Sequence, residues 1–102
     1  MNKLIFTFLL LSAPAFAKEY TIEMKSISYA PKTIQIAVGD SIQWQNVSYT
    51  DHSATGDGFD TGMVHPKEKS KVIVFSKPGT YAYQCHMHGK AMMGTITVGA
   101  AQ

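Results

Sequence analysis

Apolar and polar positions alternate with a period of two through most of this chain. Tyr20, Ile22 and Met24 alternate with Thr21, Glu23 and Lys25, the pattern of a strand that buries one face. Pro31 then either interrupts the ladder or sits at its edge. Ile34, Ile36 and Val38 alternate again, Gly39-Asp40 reads as a tight turn, and Ile42 and Trp44 begin a third strand. Only that turn separates the second and third strands, so they are expected to form a hairpin. Asn46–Asp51 is polar and loop-like, His52–Thr55 has the composition of a short strand, and Gly56–Gly62 is rich in turn residues. Lys69–Phe75 carries a mixed strand pattern, and Lys77-Pro78-Gly79-Thr80 is a strong turn signal. Tyr81 and Tyr83 alternate into Cys85, and Gly94–Val98 forms a closing strand. No segment after the first 17 residues shows a helical repeat, and some seven short strands with Gly/Pro turns indicate a β-sandwich or small barrel.

The first 17 residues do not follow this pattern. Lys3 supplies a basic start, Leu4–Leu11 is apolar except for Thr7, and Ala15-Phe16-Ala17 is a small-x-small cleavage sequence. The apolar run is too short for a membrane span. A secretory signal peptide is expected at 1–17, cut after Ala17, leaving one domain at 18–102. Loss of Lys3 lowers the formal charge from +2 to +1, with eight Lys, seven acidic residues and no Arg remaining. That is no footprint for nucleic acid, which calls for clustered basic residues. A small exported domain usually relies on disulfides, yet this chain has one cysteine. The lone thiol therefore points to an intermolecular bridge, a free thiol or a metal ligand.

The segment Tyr83–Gly94 favours the last of these. It holds that cysteine, two of the four histidines and three of the six methionines. Thiolate, imidazole and thioether suit copper, whereas calcium and magnesium want oxygen. Blue copper sites use two His and one Cys, with a long axial Met. Cys85, one His and one Met come from this loop, and His52 is the candidate for the second His. His86 directly follows Cys85, and adjacent side chains on an extended chain point apart, so His88 is the candidate within the loop. His65 and the residues Asp51 and Asp60 read as loop and turn positions.

With these residues in view, the chain resembles the blue copper proteins, cupredoxins of the plastocyanin, pseudoazurin and amicyanin type. Tyr29-Ala30-Pro31, Ile34-Gln35-Ile36, Val38-Gly39-Asp40 and Ile42-Gln43-Trp44-Gln45-Asn46 are similar to the family's N-terminal half in order and spacing. His52 falls where the family's first His ligand falls, and Phe59-Asp60-Thr61-Gly62 resembles a segment between the half-sites. Tyr83-Gln84-Cys85 with His88 matches the second half-site, and Gly94, Ile96 and Val98 match the closing strand. The resemblance implies a Greek-key β-sandwich of about seven to eight strands. It also implies one type 1 copper ion, held by His52, Cys85, His88 and an axial Met. The family's spacing before the last-strand glycine selects Met92, as does alternation from Ile96 and Gly94. Counting eight from Cys85, as in plastocyanin, selects Met93 instead.

The same resemblance implies a periplasmic, monomeric carrier of single electrons. It would dock redox partner proteins (a cytochrome, dehydrogenase or reductase) near His88 and would not be an enzyme, since four ligands leave no open position for substrate. The alternative is a periplasmic protein for copper tolerance or delivery, with His65, His86 and Met63 as a possible second site. The sequence departs from the family pattern at Asp51, at Ser53 where plastocyanins carry Asn, and at Met87 where many relatives carry Pro. Because Met87 retains an N–H, two amide bonds to the Cys85 sulfur are expected, from Ser53 and Met87.

Overall fold

The computed structural model describes residues 16–100. The expected signal segment 1–17 thus lies outside them except for Phe16 and Ala17. Among the described residues there is no helix, and none long and apolar enough to cross a membrane. Nine strands are present: β1 (Glu19–Met24), β2 (Tyr29–Ala30), β3 (Thr33–Ala37), β4 (Ser41–Asn46), β5 (Thr55–Gly56), β6 (Phe59–Asp60), β7 (Ile73–Val74), β8 (Gly79–Cys85) and β9 (Gly89–Gly99). They form a four-stranded sheet in the order β2-β1-β4-β7 and a five-stranded sheet in the order β3-β9-β8-β5-β6. The two sheets make the Greek-key β-sandwich. Ile22, Met24, Ile42 and Trp44 from one sheet meet Ile36, Tyr83, Ile96 and Val98 from the other. Burying each large apolar side chain contributes about 1.5–3 kcal/mol, so this interior drives the assembly.

The expected hairpin across Gly39-Asp40 does not form. β3 pairs in parallel with β9, while β4 pairs in parallel with β1 and antiparallel with β7. The turn instead carries the chain from one sheet to the other. Gly39 supplies the positive φ of 96° that the crossing needs. Asp40 caps it, its Oδ2 accepting a bond from the Ala37 amide at 2.8 Å. Alternation identifies which residues face inward, but both strands of a crossover bury the same kind of face as a hairpin does. Partner choice therefore lies outside the pattern.

Two other expectations change. The Lys69–Phe75 strand shrinks to β7 plus an isolated bridge between Gln45 and Lys69. The closing strand is longer than expected: β9 begins at Gly89, so Gly94 lies within it, opposite Tyr83. A Cβ at Gly94 would stand 2.4 Å from the Tyr83 ring, and the absence of a side chain lets that buried ring lie over the strand. Tyr83 in turn contacts Trp44 edge-on with ring centroids 5.6 Å apart.

Candidate metal centre

His52 sits on no regular strand. Its backbone pairs with Val64 alone, by His52 N–H to Val64 O at 3.1 Å and Val64 N–H to His52 O at 2.7 Å. What fixes this segment is a buried side-chain network. On β4 the inward positions run Ile42, Trp44, Asn46, so a fully buried amide follows two apolar residues. Asn46 Nδ2 donates to Thr50 O at 2.8 Å and Val64 O at 2.9 Å, and its Oδ1 accepts from Ser48 N–H at 2.8 Å. One side chain thereby ties together both sides of the His52 position. Thr50 Oγ1 lies 3.4 Å from His52 Nε2 and orients the outer edge of the ring. An amide on a core-facing strand position is the sequence signal for this brace.

Backbone register positions the other half of the site. Cys85 ends β8 and pairs with Gly89, so the turn between them holds His86, Met87 and His88. The His88 amide donates to Cys85 O at 3.2 Å, and the Ala91 amide to His88 O at 3.2 Å. The ladder shifts register at Gln84/Cys85, with Gln84 opposite Met93 and Cys85 opposite Gly89. Lys90, Ala91 and Met92 are the extra residues of this bulge.

The two halves bring His52, Cys85 and His88 together, with one ligand atom of each lying within 4.8 Å of the others. Cys85 Sγ is 3.6 Å from His52 Nδ1 and 3.2 Å from His88 Nδ1. The two imidazole rings lie 4.9 Å apart at 43°. His52 and Cys85 are fully buried, whereas His88 is half-buried. Burial, reinforced by the neighbouring His88 ring, holds the His52 imidazole below its ordinary pKa. It is thus kept in the neutral form that ligates metal. Thiol and imidazole donors without a carboxylate in the cluster fit a soft or borderline cation.

Met92 is fully buried in the same cluster as Cys85, while Met93 is 38% exposed. The bulge sets this phase, placing Met92, Gly94, Ile96 and Val98 on the inner face. The expected pair of amide-to-sulfur bonds is not seen: among the described residues the polar contacts of Cys85 Sγ are the two imidazole nitrogens. Ser53 acts through other atoms. Its carbonyl accepts a bond from the Tyr29 hydroxyl, and its Oγ accepts one from the His86 amide at 2.9 Å. Ser53 Oγ also lies 2.9 Å from Thr55 Oγ1, which donates to Asp60 Oδ1 at 3.1 Å. Since Thr55 has one hydroxyl proton and Asp60 takes it, Ser53 donates to Thr55. The chain of bonds links the turn after Cys85 to the loop after His52. Burial raises the Tyr83 hydroxyl to about 12, and Tyr29 is pushed higher still, by burial first and then by Cys85. Both phenols are neutral packing groups.

His65 does not join the site. Its Nδ1 lies 2.9 Å from Asp51 Oδ1, and this hydrogen bond and the carboxylate's charge raise its pKa. Among the described residues, His52, Cys85 and His88 are the one group of three or more His, Cys, Asp or Glu arranged to hold an ion. His86 is exposed, as expected from its outward phase, and Met63 and Met87 are exposed too.

A buried thiol between two imidazole nitrogens, at one end of a β-sandwich, defines a blue copper protein with a single type 1 copper as its cofactor. The comparisons agree: the chain matches the cupredoxin-like domain over residues 3–98 and belongs to that family. It is similar to plastocyanin of Prochlorothrix hollandica, 32% identical over 107 aligned positions that cover 90% of this chain and 82% of that protein. The fold is similar to an oxidised amicyanin variant, with a TM-score of 0.70 at 21% identity over 89% of this chain and 90% of the other. It is also similar to part of the copper-containing nitrite reductase of Thermus scotoductus, with a TM-score of 0.73 at 26% identity. That match covers 88% of this chain but 26% of the reductase.

Proposed function

We propose that this protein is a periplasmic, monomeric carrier of single electrons between redox partner proteins, exported by cleavage after Ala17, and that it is not an enzyme. His52, Cys85, His88 and Met92 would hold the copper. The observation that carries the reading is Cys85 Sγ, fully buried and flanked by the Nδ1 atoms of two histidines. Bound copper supplies a one-electron change between Cu(II) and Cu(I). The chain's own residues do the rest. Asn46 and the β8–β9 turn hold the ligands in a fixed arrangement, which keeps reorganisation small. Burial of His52 and Cys85 excludes water and substrate from the cation. Half-buried His88 is the route to the surface, near exposed Met87 and Ala91, where a partner docks. With a processed charge of +1, association should depend little on ionic strength.

The test is the visible spectrum after adding Cu(II). An intense thiolate-to-copper band at one copper per chain, reversible on reduction, is expected, and Cys85→Ser should abolish it. Colour persisting in that variant refutes the site. Release of the copper to an acceptor protein, or uptake of a second ion, would instead indicate delivery or tolerance.

A further inference from the structure

At the far end of the sandwich a buried carboxylate makes no direct ion pair among the described residues. Asp40 is 5% exposed. Its oxygens accept two backbone bonds, Oδ2 from the Ala37 amide at 2.8 Å and Oδ1 from the Lys18 amide at 2.9 Å. The ion pairs among the described residues join Lys25 to Glu23 and His65 to Asp51, and neither involves Asp40. Against the cost of burial, the carboxylate is favoured by these two amides, then by the charge of the Lys18 side chain and the Tyr20 hydroxyl, but no cation is bonded to it directly. One of its two donors is the nitrogen of the residue that follows the Ala15-Phe16-Ala17 cleavage sequence.

We propose that processing converts that donor into a directly bonded cation: the α-ammonium of Lys18 forms an ion pair with Asp40 and so locks β1 into its sheet. The inference rests on the export reading above and is independent of copper. Hydrolysis breaks the Ala17–Lys18 C–N bond and consumes one water. The hydroxyl goes to the Ala17 carbonyl, which leaves as a carboxylate, and the protons go to the Lys18 nitrogen, which becomes an ammonium. The nitrogen is already in place and stays there. The Ser41 amide donates to Lys18 O at 2.9 Å, and Glu19 pairs with Ser41 at the start of the β1–β4 ladder. Phe16 and Ala17 are exposed, so the bond to be cut is not enclosed by the fold. The position is also specific. A cut one residue earlier leaves an amide at Lys18, with the ammonium about 3.5 Å further along the chain. A cut one residue later removes the donor altogether. An ion pair is stronger than a neutral hydrogen bond to the same carboxylate. The titratable side chains around Asp40 are those of Lys18 and Tyr20. The Lys18 and Ala37 backbone bonds already hold its carboxyl below the ordinary range, so it is charged when the ammonium appears.

The first measurement is the mass of the exported protein. Lys18 as first residue is expected, and any other first residue overturns the proposal. The second compares thermal unfolding of that protein with an exported variant carrying one extra Ala before Lys18, each with Asp40 and with Asp40→Asn. The extra residue should lower the melting midpoint by several degrees beside Asp40 and have little effect beside Asn. An equal effect in both backgrounds, or none in either, overturns the proposal. If Asp40→Asn does not fold, the α-amine is titrated by NMR in the exported protein. A pKa above the ordinary range of about 7.7–8.0 supports the pair, and an ordinary value overturns it. Copper uptake is recorded alongside and should be the same in all folded variants, so failure of the copper reading and failure of this one are separable.

Discussion

The two halves of the copper site are held by different means. Cys85 and His88 come from adjacent strands and their turn, where the β8–β9 ladder and its bulge set every position. His52 comes from a stretch with a single backbone bridge, where Asn46, Ser48 and Thr50 take the place of a ladder. A ladder tolerates the loss of most side chains, because its bonds belong to the backbone. A side-chain brace depends on the one residue that makes it. The two halves should therefore fail differently when changed.

The largest effect is expected at Asn46. Asn46→Leu leaves the buried Ser48 amide without its partner and removes one of the two donors to each of the Thr50 and Val64 carbonyls, which keep the Ser48 hydroxyl and the His52 amide. A loss of about 3 kcal/mol in unfolding free energy follows, with weaker copper binding because His52 is no longer fixed. Denaturant unfolding and copper competition measure both. If copper affinity falls no further than for an equally destabilised variant elsewhere in the core, the brace is structural only. Gly94→Ala attacks the ladder half. Its Cβ would collide with the buried Tyr83 ring, at a cost of about 1–3 kcal/mol. Because backbone pairing survives, the ligand field and the visible band should change little in the folded fraction.

The bulge makes a sharper distinction between neighbours. Met92→Leu should keep copper and colour but raise the reduction potential, since a lost axial thioether favours Cu(I). Met93→Leu, on the outer face, should change stability by no more than about 0.5 kcal/mol and leave the potential unchanged. The reverse result would transfer the axial role to Met93. Ser53→Ala removes the hydroxyl that joins the two halves and should cost about 0.5–1.5 kcal/mol. It should also speed hydrogen exchange of the His86 amide in the copper-free protein. Unchanged exchange there would show that the link does not hold the turn.

The smallest effect is at the rim. Asp51 raises the pKa of His65, so their pairing is present in full below the ordinary imidazole value of 6.5 and fades as pH rises through the raised one. Asp51→Asn should return His65 to its ordinary titration, followed by NMR, with no loss of stability above that range. Persistence of the raised value would assign the effect to another group.

Much of this was legible in the order of residues. Period-two alternation marks Tyr20–Met24, Ile34–Val38 and Tyr81–Cys85 as strands, because one face of each must leave water. The soft donors of Cys85, His88 and one methionine, Met92 or Met93, are visible because they lie within one short loop, where spacing and geometry are nearly the same thing. His52 required a resemblance, since nothing local links it to a cysteine 33 positions away. Tertiary structure alone decided the rest. It sent β3 and β4 to different sheets, because a strand's inward face does not encode its neighbour. It made Gly94 an interior residue of β9, because the ladder resumes as soon as the bulge is passed. It turned Ser53 from an amide donor to sulfur into a hydroxyl acceptor for His86, and it set Asn46 to hold His52. These outcomes depend on which groups meet across the sandwich, and that is settled only when the two sheets close on each other.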